Sequence, residues 1–510
     1  MFQFELVPGE LTLADLRRIY NEPVTLSLHK DAYDKIKAGR KVVEDVVAKG
    51  KVIYGINTGF GKLAKEQVST EQLEKLQENL ILSHCTGTGY ILYENVTRLI
   101  MVLKINGLAQ GYSGVRQELI DALIALLNHD VYPRIPSKGS VGASGDLAPL
   151  AHLSAVLLGY GDVSVNGRIM SAKEGLDIAG IEPLTLAPKE GLALINGTQV
   201  STALGITGLL GTENCFTGAV LAGALSVEAS KGSPSPFKDK IQKVRRQTGQ
   251  RDVAQKYRQL LKDSDIRNSH HDCDRVQDPY CLRCMPQVMG TCLDHMRFAA
   301  ETLVREVNAV TDNPLVFAET GEVLSGGNFH AEPVGFAADM LAIVLSEIGS
   351  ISERRTAMLI DENQSNLPPF LVKDAGVNSG FMIAHVTAAA LTSENKQSAY
   401  PASVDSIPTS AGQEDHVSMA THGARRLTRM SEHTMTIVAI ELLAAAQGVD
   451  FHRPLKSSAD LEKVITLLRE HVPFYEEDRY FAPDIEFAKH LVASEYLLEF
   501  CEDLLPSFAG

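Results

Sequence analysis

Long apolar segments in the C-terminal part of the chain predict its main architecture. They are rich in Ala, Leu and Met and nearly free of Gly and Pro, and the longest are residues 337–355, 381–396 and 416–446. These residue types have high intrinsic helix propensity, and such segments are too long for ordinary strands. The pattern predicts buried helices joined by polar, Gly- and Pro-containing loops, where functional residues tend to concentrate.

The first part of the chain, residues 1–110, mixes short apolar runs with glycine turns, which favours a compact mixed lobe distinct from residues 111–510. A hairpin is predicted at residues 163–170, because two short runs flank Asn166-Gly167, a dipeptide that tolerates the positive φ angles of a tight turn. The predicted fold is mainly α, with an elongated bundle of long helices and a smaller mixed N-terminal lobe.

Composition narrows the class of protein. The chain has 510 residues, of which 45% are hydrophobic and 22% charged, with a formal net charge of -15. That charge opposes nucleic acid and anionic membranes as partners. Seven cysteines without framework spacing favour free thiols in a reducing compartment. The N-terminus lacks a leader pattern, and apolar runs such as residues 217–227 are shorter than a bilayer span. A cytoplasmic location without a transmembrane segment is therefore expected.

A small-residue loop at residues 142–146, Gly-Ala-Ser-Gly-Asp, is the first candidate for chemistry. A nucleophile elbow of the form G-x-S-x-G does not fit, because Asp146 occupies the final glycine position. Without further context, the favoured interpretation is a helix N-cap, in which Ser144 or Asp146 accepts backbone N–H bonds.

A second glycine-rich loop covers residues 54–61, Tyr-Gly-Ile-Asn-Thr-Gly-Phe-Gly. The spacing of a phosphate-binding loop would require glycine at Ile56 and Ser or Thr at Leu63, so that pattern fails. The structural alternative is a turn in which Tyr54 packs. Both loops therefore need support from other parts of the chain.

That support comes from a set of motifs spread along nearly the whole sequence. They are Ser83-His84, Asn196 in residues 194–199, residues 276–283, Phe329 in residues 325–330, and Glu414 in residues 413–419. Together with the two loops, they resemble the family of ammonia-lyases and aminomutases whose Ala-Ser-Gly triplet cyclises into 4-methylidene-imidazole-5-one (MIO). The resemblance implies that Ala143, Ser144 and Gly145 form this electrophile and that no external cofactor is used.

Further roles follow from the same resemblance, position by position. Tyr54 would be the base for the β-proton, Asn196 would contact MIO and substrate, and Arg283 would pair with the substrate carboxylate. A planar guanidinium suits that task because it binds a carboxylate in bidentate geometry. Gln277 and Tyr280 would complete the site, and Phe329 would lie near the MIO ring or simply pack.

Two positions bear on substrate choice. Histidine-selective members of the family carry Ser-His and glutamate where this chain has Ser83-His84 and Glu414, whereas phenylalanine- and tyrosine-selective members differ at both. A carboxylate and a second imidazole suit a substrate ring that donates N–H bonds. The resemblance implies non-oxidative loss of ammonia from L-histidine to give trans-urocanate, the first step of histidine degradation. Without the resemblance, the favoured interpretation of Glu414 is a carboxylate that stabilises the N-terminus of a helix.

Alternatives remain at this point. Tyrosine or phenylalanine deamination or amino shift would use the same electrophile, and a silent helical scaffold would retain only the fold. The departures are Cys85-Thr86 beside the substrate pocket and Cys281 where serine is expected. Residues 270–273, His-His-Asp-Cys, with Cys281 and Cys284 could bind zinc, although the resemblance implies no metal. It also implies a homotetramer whose sites are shared, with Tyr280 and Arg283 facing the MIO of a neighbouring chain.

Overall fold

Helices form most of the computed structural model, which describes residues 1–50, 52–53, 55–58, 68–69, 72–270 and 276–508. The chain divides into two compact units. Unit 1 comprises Met1–Thr207, Ala300–Asp339 and Pro401–Arg425, and unit 2 comprises Gly208–Ala299, Met340–Tyr400 and Arg426–Gly510. The boundary predicted at residue 110 lies inside unit 1, and the two-lobe division stays a prediction.

The helices have the following bounds, numbered in chain order. They are α1 (Leu13–Asn21), α2 (Asp31–Ala48), α3 (Leu73–His84), α4 (Glu94–Leu108), α5 (Gln117–Asn128), α6 (Leu147–Leu157), α7 (Ala172–Ala179), α8 (Glu190–Ile195), α9 (Gln199–Ala229), α10 (Asp239–Arg245), α11 (Thr248–Leu260), α12 (Asp265–Asn268), α13 (Tyr280–Arg283), α14 (Met285–Val307), α15 (Glu332–Ile360), α16 (Glu362–Ser365), α17 (Met382–Ser398), α18 (Ala420–Asp450), α19 (Ala459–Arg469) and α20 (Ala482–Ala493). Short 3₁₀ turns occur at Ser235–Phe237, Pro369–Leu371, Ser410–Gly412, Glu495–Phe500 and Pro506–Phe508.

The prediction of a mainly α fold with long helices is confirmed. Helices α15 and α17 cover the segments expected from their Ala- and Leu-rich sequences. The predicted start of α18 at His416 is wrong by four residues, because the helix begins at Ala420. Met419 has a φ of 53°, a left-handed conformation that a right-handed helix cannot include, and its N–H donates to the carbonyl of Val141. The residues directly before α18 therefore form a loop.

The strands are short and form small sheets. They are β1 (Phe2–Leu6), β2 (Val24–Leu28), β3 (Thr88–Ile91), β4 (Val131–Pro133), β5 (Pro136–Lys138), β6 (Asp162–Val165), β7 (Arg168–Ser171), β8 (Leu315–Phe317) and β9 (Glu322–Leu324). Strands β1 and β2 pair in parallel, whereas β3 with β5, β4 with β6, β6 with β7, and β8 with β9 are antiparallel.

The predicted hairpin is confirmed. Strands β6 and β7 pair with Val165 opposite Arg168, so Asn166 and Gly167 form a two-residue turn. Their φ angles are 49° and 73°, both in the left-handed region that Asn and Gly tolerate best.

One helix of unit 1 is buried along most of its length and positions the site. All residues of α4 from Val96 to Leu108 are buried, including Lys104 and Asn106. An interior helix of this kind can place polar groups only where other buried groups bond to them. Its polar residues therefore define fixed points inside unit 1.

Among the described residues, α15 is long and apolar enough to cross a bilayer by length and composition. The expectation that the chain has no transmembrane segment stays a prediction. Within its most apolar 18-residue window, 72% is buried by the chain's own residues. Burial of that extent is also typical of a core helix.

Candidate functional site

The Ala-Ser-Gly triplet lies in a tight loop between β5 and α6. Gly145 has a φ of +73°, and a Cβ placed on it would lie 2.2 Å from the carbonyl oxygen of Gly197. The N–H of Asp146 donates to that same carbonyl at 2.8 Å. Glycine at position 145 is therefore required both by the backbone conformation and by the close approach of residue 197.

The fully buried carboxylate of Asp146 anchors this loop. It accepts hydrogen bonds from Ser140 Oγ (2.8 Å), Thr421 Oγ1 (2.6 Å), and the backbone N and Oγ of Ser201 (2.7 and 2.9 Å). Asp146 occupies the N-cap position of α6 without a side-chain bond to that helix. Its carboxylate instead satisfies an N–H in the first turn of α9. Asp146 thus fixes the loop to the first turn of α9, through Ser201, and to the first turn of α18, through Thr421.

Asn196 follows the last residue of α8 and is 4% exposed. Its Nδ2 donates to the carbonyl oxygen of Ser144 at 2.6 Å. Its Oδ1 is buried and has no hydrogen-bond partner among the residues that the structure describes. A buried carbonyl oxygen without a donor is costly, so this atom is available to a bound N–H group.

Glu414 contacts the triplet directly. The hydroxyl of Ser144 donates to Glu414 Oε1, and the hydroxyl of Thr409 donates to Oε2. The backbone N–H of Thr409 also donates to the Glu414 carbonyl at 2.9 Å, which closes the loop around the turn Ser410–Gly412. Glu414 lies outside α18, because that helix begins at Ala420. The role of a carboxylate in the first turn of a helix therefore does not fit it.

His84 is the last residue of α3 and is half-buried. Desolvation lowers the pKa of its imidazole below the ordinary value, while a hydrogen bond with the Leu80 backbone and the charge of Glu414 oppose this shift. His84 Nδ1 lies 3.1 Å from Ser83 Oγ. The lowered pKa favours the neutral form of the imidazole at pH 7.

Phe329 lies in the loop before α15 and is half-buried. Two residues later, the N–H of Ala331 donates to the carbonyl of Gly142 at 3.1 Å. The Phe329 loop is therefore bonded to the loop that carries Ser144.

The remaining predicted residues belong to unit 2 or lie outside the described residues. Gln277, Tyr280 and Arg283 belong to unit 2, where Gln277 is exposed, Tyr280 is 70% exposed, and the Arg283 guanidinium carbon lies 4.8 Å from the centre of the Tyr280 ring. Burial raises the pKa of the neighbouring Cys281 thiol. Tyr54 lies outside the described residues, so its predicted role stays a prediction.

The zinc alternative gains no support from the part of the chain that the structure describes. No group of three or more His, Cys, Asp and Glu there could hold a metal ion. His271, Asp272 and Cys273 lie outside that part. The described cysteines, including Cys281 and Cys284, are free thiols.

Sequence reasoning missed part of the polar environment of Ser144. Thr409, Thr421 and Lys104 bond to residues of this site, but none belongs to a motif. Of these three residues, only Lys104 could have been noticed in the sequence, because it directly follows the apolar run of residues 99–103.

Comparisons with known proteins identify the family to which this chain belongs. Residues 11–470 match the family model of the aromatic amino acid lyases. The histidine ammonia-lyase of Vibrio cholerae serotype O1 is 58% identical over 493 residues, which cover 96% of each chain. The solved histidine ammonia-lyase from Trypanosoma cruzi has a TM-score of 0.92 and 41% identity, covering 100% of this chain and 97% of that one. A tyrosine aminomutase from Streptomyces globisporus has a TM-score of 0.91 and 35% identity, covering 97% of each. The chain belongs to the aromatic amino acid lyase family.

Proposed function

We propose that this chain catalyses the non-oxidative elimination of ammonia from L-histidine to give trans-urocanate. The choice of substrate rests on two residues, Glu414 and His84. The Glu414 carboxylate accepts a hydrogen bond from the Ser144 hydroxyl, and its charge opposes the lowering of the His84 pKa by desolvation. A phenyl or phenol side chain has no ring N–H to offer a carboxylate, whereas imidazole does. The curated relatives named histidine ammonia-lyase support the same substrate.

The residues around Ser144 fit the MIO group of the family. Gly145 has no Cβ that would crowd Gly197, the Ser144 carbonyl is bonded to Asn196, and Asp146 fixes the loop. Such a group, formed from Ala143, Ser144 and Gly145, would supply an electrophile for the substrate amine, which no ordinary side chain provides. This fit supports the proposal that the triplet cyclises.

The side chains around the triplet would bind and orient the substrate. Glu414 would accept an imidazole N–H, and neutral His84 would donate to or accept from the other ring nitrogen. The unpartnered Oδ1 of Asn196 would accept an N–H of the substrate amine. Arg283 would bind the carboxylate, and Tyr54 would remove the β-proton. Fixed donors and acceptors of this kind lower the barrier because they need no reorganisation during the reaction.

A homotetramer with shared sites belongs to the same proposal. Tyr280 is 70% exposed and Gln277 is exposed in the single chain, which is compatible with places in the site of a neighbouring chain. Free thiols at the described cysteines are compatible with the proposed cytoplasmic location.

The test is a direct assay of the purified protein with three amino acids. L-Histidine should produce the absorbance of urocanate, whereas L-tyrosine and L-phenylalanine should produce little coumarate or cinnamate and no β-amino acid. The Ser144→Ala variant, which keeps the backbone carbonyl but cannot form the electrophile, should be inactive and folded. Turnover of tyrosine or phenylalanine without turnover of histidine would overturn the choice of substrate. Full activity in Ser144→Ala would overturn the MIO chemistry.

A further inference from the structure

Lys104, in the C-terminal half of α4, is a lysine that the proposed chemistry does not use. It is 1% exposed, and its Nζ donates to the carbonyls of Ala193 (2.9 Å) and Asn196 (3.0 Å). Lys189, another buried lysine of unit 1, pairs with Asp312 at 2.9 Å. No carboxylate in the described part of the chain forms such an ion pair with Lys104. Two backbone carbonyls therefore hold its ammonium group.

This arrangement is unfavourable for stability alone. Burial lowers the pKa of Lys104 to about 7, although the charge of Asp312 opposes that effect. An unbranched apolar side chain such as Met would fill similar space without the cost of desolvating an amine. The contribution of Lys104 must therefore lie in the groups that its N–H donors fix.

Both acceptors lie at the C-terminal end of α8. The last carbonyls of a helix have no intrahelical donors, so a buried helix end needs donors from elsewhere. Lys104 supplies them to Ala193 and Asn196, while the N–H of Asn196 donates to Leu192 at 2.8 Å. With its backbone N–H and carbonyl both bonded, Asn196 has a fixed main chain.

The side chain of Asn196 continues this chain of contacts to the reactive triplet. Its Nδ2 lies 2.6 Å from the Ser144 carbonyl oxygen, and its Oδ1 is the buried acceptor that has no partner in the described residues. A small displacement of the Asn196 backbone would move both atoms, and displacements of about 1 Å can cost on the order of a hundredfold in rate.

We propose that Lys104 is a positioning residue, whose N–H donors hold the end of α8 so that the Asn196 amide faces the Ser144 carbonyl. This proposal rests on the proposed function for its kinetic consequence. Its structural content, the placement of the Asn196 side chain, stands independently of the substrate.

The kinetic test compares Lys104→Met with Leu103→Ala. Met removes both donors at similar length, and Leu103, which is 2% exposed on the same helix, serves as a control for lost packing. Lys104→Met should lower kcat for L-histidine on the order of tenfold to a hundredfold, with KM little changed. Leu103→Ala should lower the melting temperature but keep kcat close to wild type. Wild-type kcat in Lys104→Met, or an equal loss in Leu103→Ala, would overturn the proposal.

Lys104→Gln decides the question if the Met variant does not fold. Its shorter amide can reach fewer acceptors than the amine, so a reduced kcat with a melting temperature near that of Leu103→Ala supports positioning. Wild-type kcat in Lys104→Gln would contradict it.

A crystallographic comparison in the Ser144→Ala background separates this inference from the proposed function. In Ser144→Ala alone, Asn196 Nδ2 should stay within hydrogen-bond distance of the residue 144 carbonyl. In the double variant with Lys104→Met, or with Lys104→Gln if Met prevents folding, the distance should exceed about 3.5 Å. An unchanged distance would refute the role of Lys104 even if histidine is the substrate. A wild-type protein inactive on histidine would refute only the proposed function.

Discussion

Two sets of buried charges, one in each compact unit, have different main partners. In unit 1, Asp146 accepts four hydrogen bonds from neutral hydroxyl and backbone donors, and Lys104 donates to two backbone carbonyls. In unit 2, Arg355 and Glu441 are both fully buried and form a bidentate ion pair, with Nε to Oε1 at 2.5 Å and Nη2 to Oε2 at 2.8 Å. Ser226 Oγ also donates to Glu441 at 2.7 Å.

The partners explain the difference. A buried charge that bonds to backbone groups fixes the course of a loop or a helix end, whereas a bidentate pair of opposite charges links side chains of neighbouring helices. In unit 1 the fixed backbone is that of residues 140–146 and 193–196, around Ser144. We therefore expect Asp146 and Lys104 to matter most for turnover, and the Arg355–Glu441 pair to matter most for stability.

The largest effect on stability is expected at the Arg355 and Glu441 pair. Arg355→Met leaves a buried carboxylate without its cation and should destabilise the protein by about 3–5 kcal/mol. The double variant Arg355→Met/Glu441→Met should recover most of this loss, because it leaves neither charge unpaired. Urea unfolding at a fixed protein concentration measures both. A double variant as unstable as the single one would show that packing, rather than the unpaired charge, dominates at this position.

A smaller effect, on turnover, is expected at Glu414. Glu414→Gln keeps the shape of the side chain but removes the charge that an imidazole N–H would meet, so kcat/KM for L-histidine should fall by about a hundredfold. The melting temperature should change little, since Glu414 is only partly buried. The neighbouring exposed carboxylate provides the control, and Asp415→Asn should retain wild-type kinetics. Equal kinetics in Glu414→Gln and wild type would remove the main argument for histidine.

A different contrast, between local signals and long-range contacts, explains how much could be predicted from the sequence. Helices α15 and α17 follow from Ala- and Leu-rich segments, and the β6–β7 hairpin follows from Asn166-Gly167, because these signals are local. The start of α18 did not follow, since Met419 takes a left-handed conformation while its N–H bonds to Val141, far away in the sequence. Tertiary contacts override propensity at that point.

The candidate site was predictable only through family motifs. An isolated Ala-Ser-Gly triplet is a weak signal, and the approach of Gly197 to Gly145 that makes glycine necessary is visible only in three dimensions. Thr409 and Thr421 bond to Glu414 and Asp146 without belonging to any motif. Such partners come from distant segments, and a single sequence carries no record of those contacts.

The smallest effect is expected in unit 2, at a buried carboxylate that accepts a hydrogen bond from a neutral hydroxyl rather than from a cation. Glu228 is fully buried and accepts the Ser264 hydroxyl. Desolvation raises its pKa from the ordinary 4.5 to about 6, with the Ser264 hydrogen bond opposing the shift. Between these two values the folded state binds more protons than the unfolded state, so stability falls as pH rises, by at most about 2 kcal/mol. Glu228→Gln does not titrate and should lose this decline, which makes it more stable than wild type at pH 7. Urea unfolding at pH 4.5 and pH 7 measures the difference, and the exposed control Glu476→Gln should keep the wild-type decline. The same decline in Glu228→Gln would assign the pH dependence to other groups.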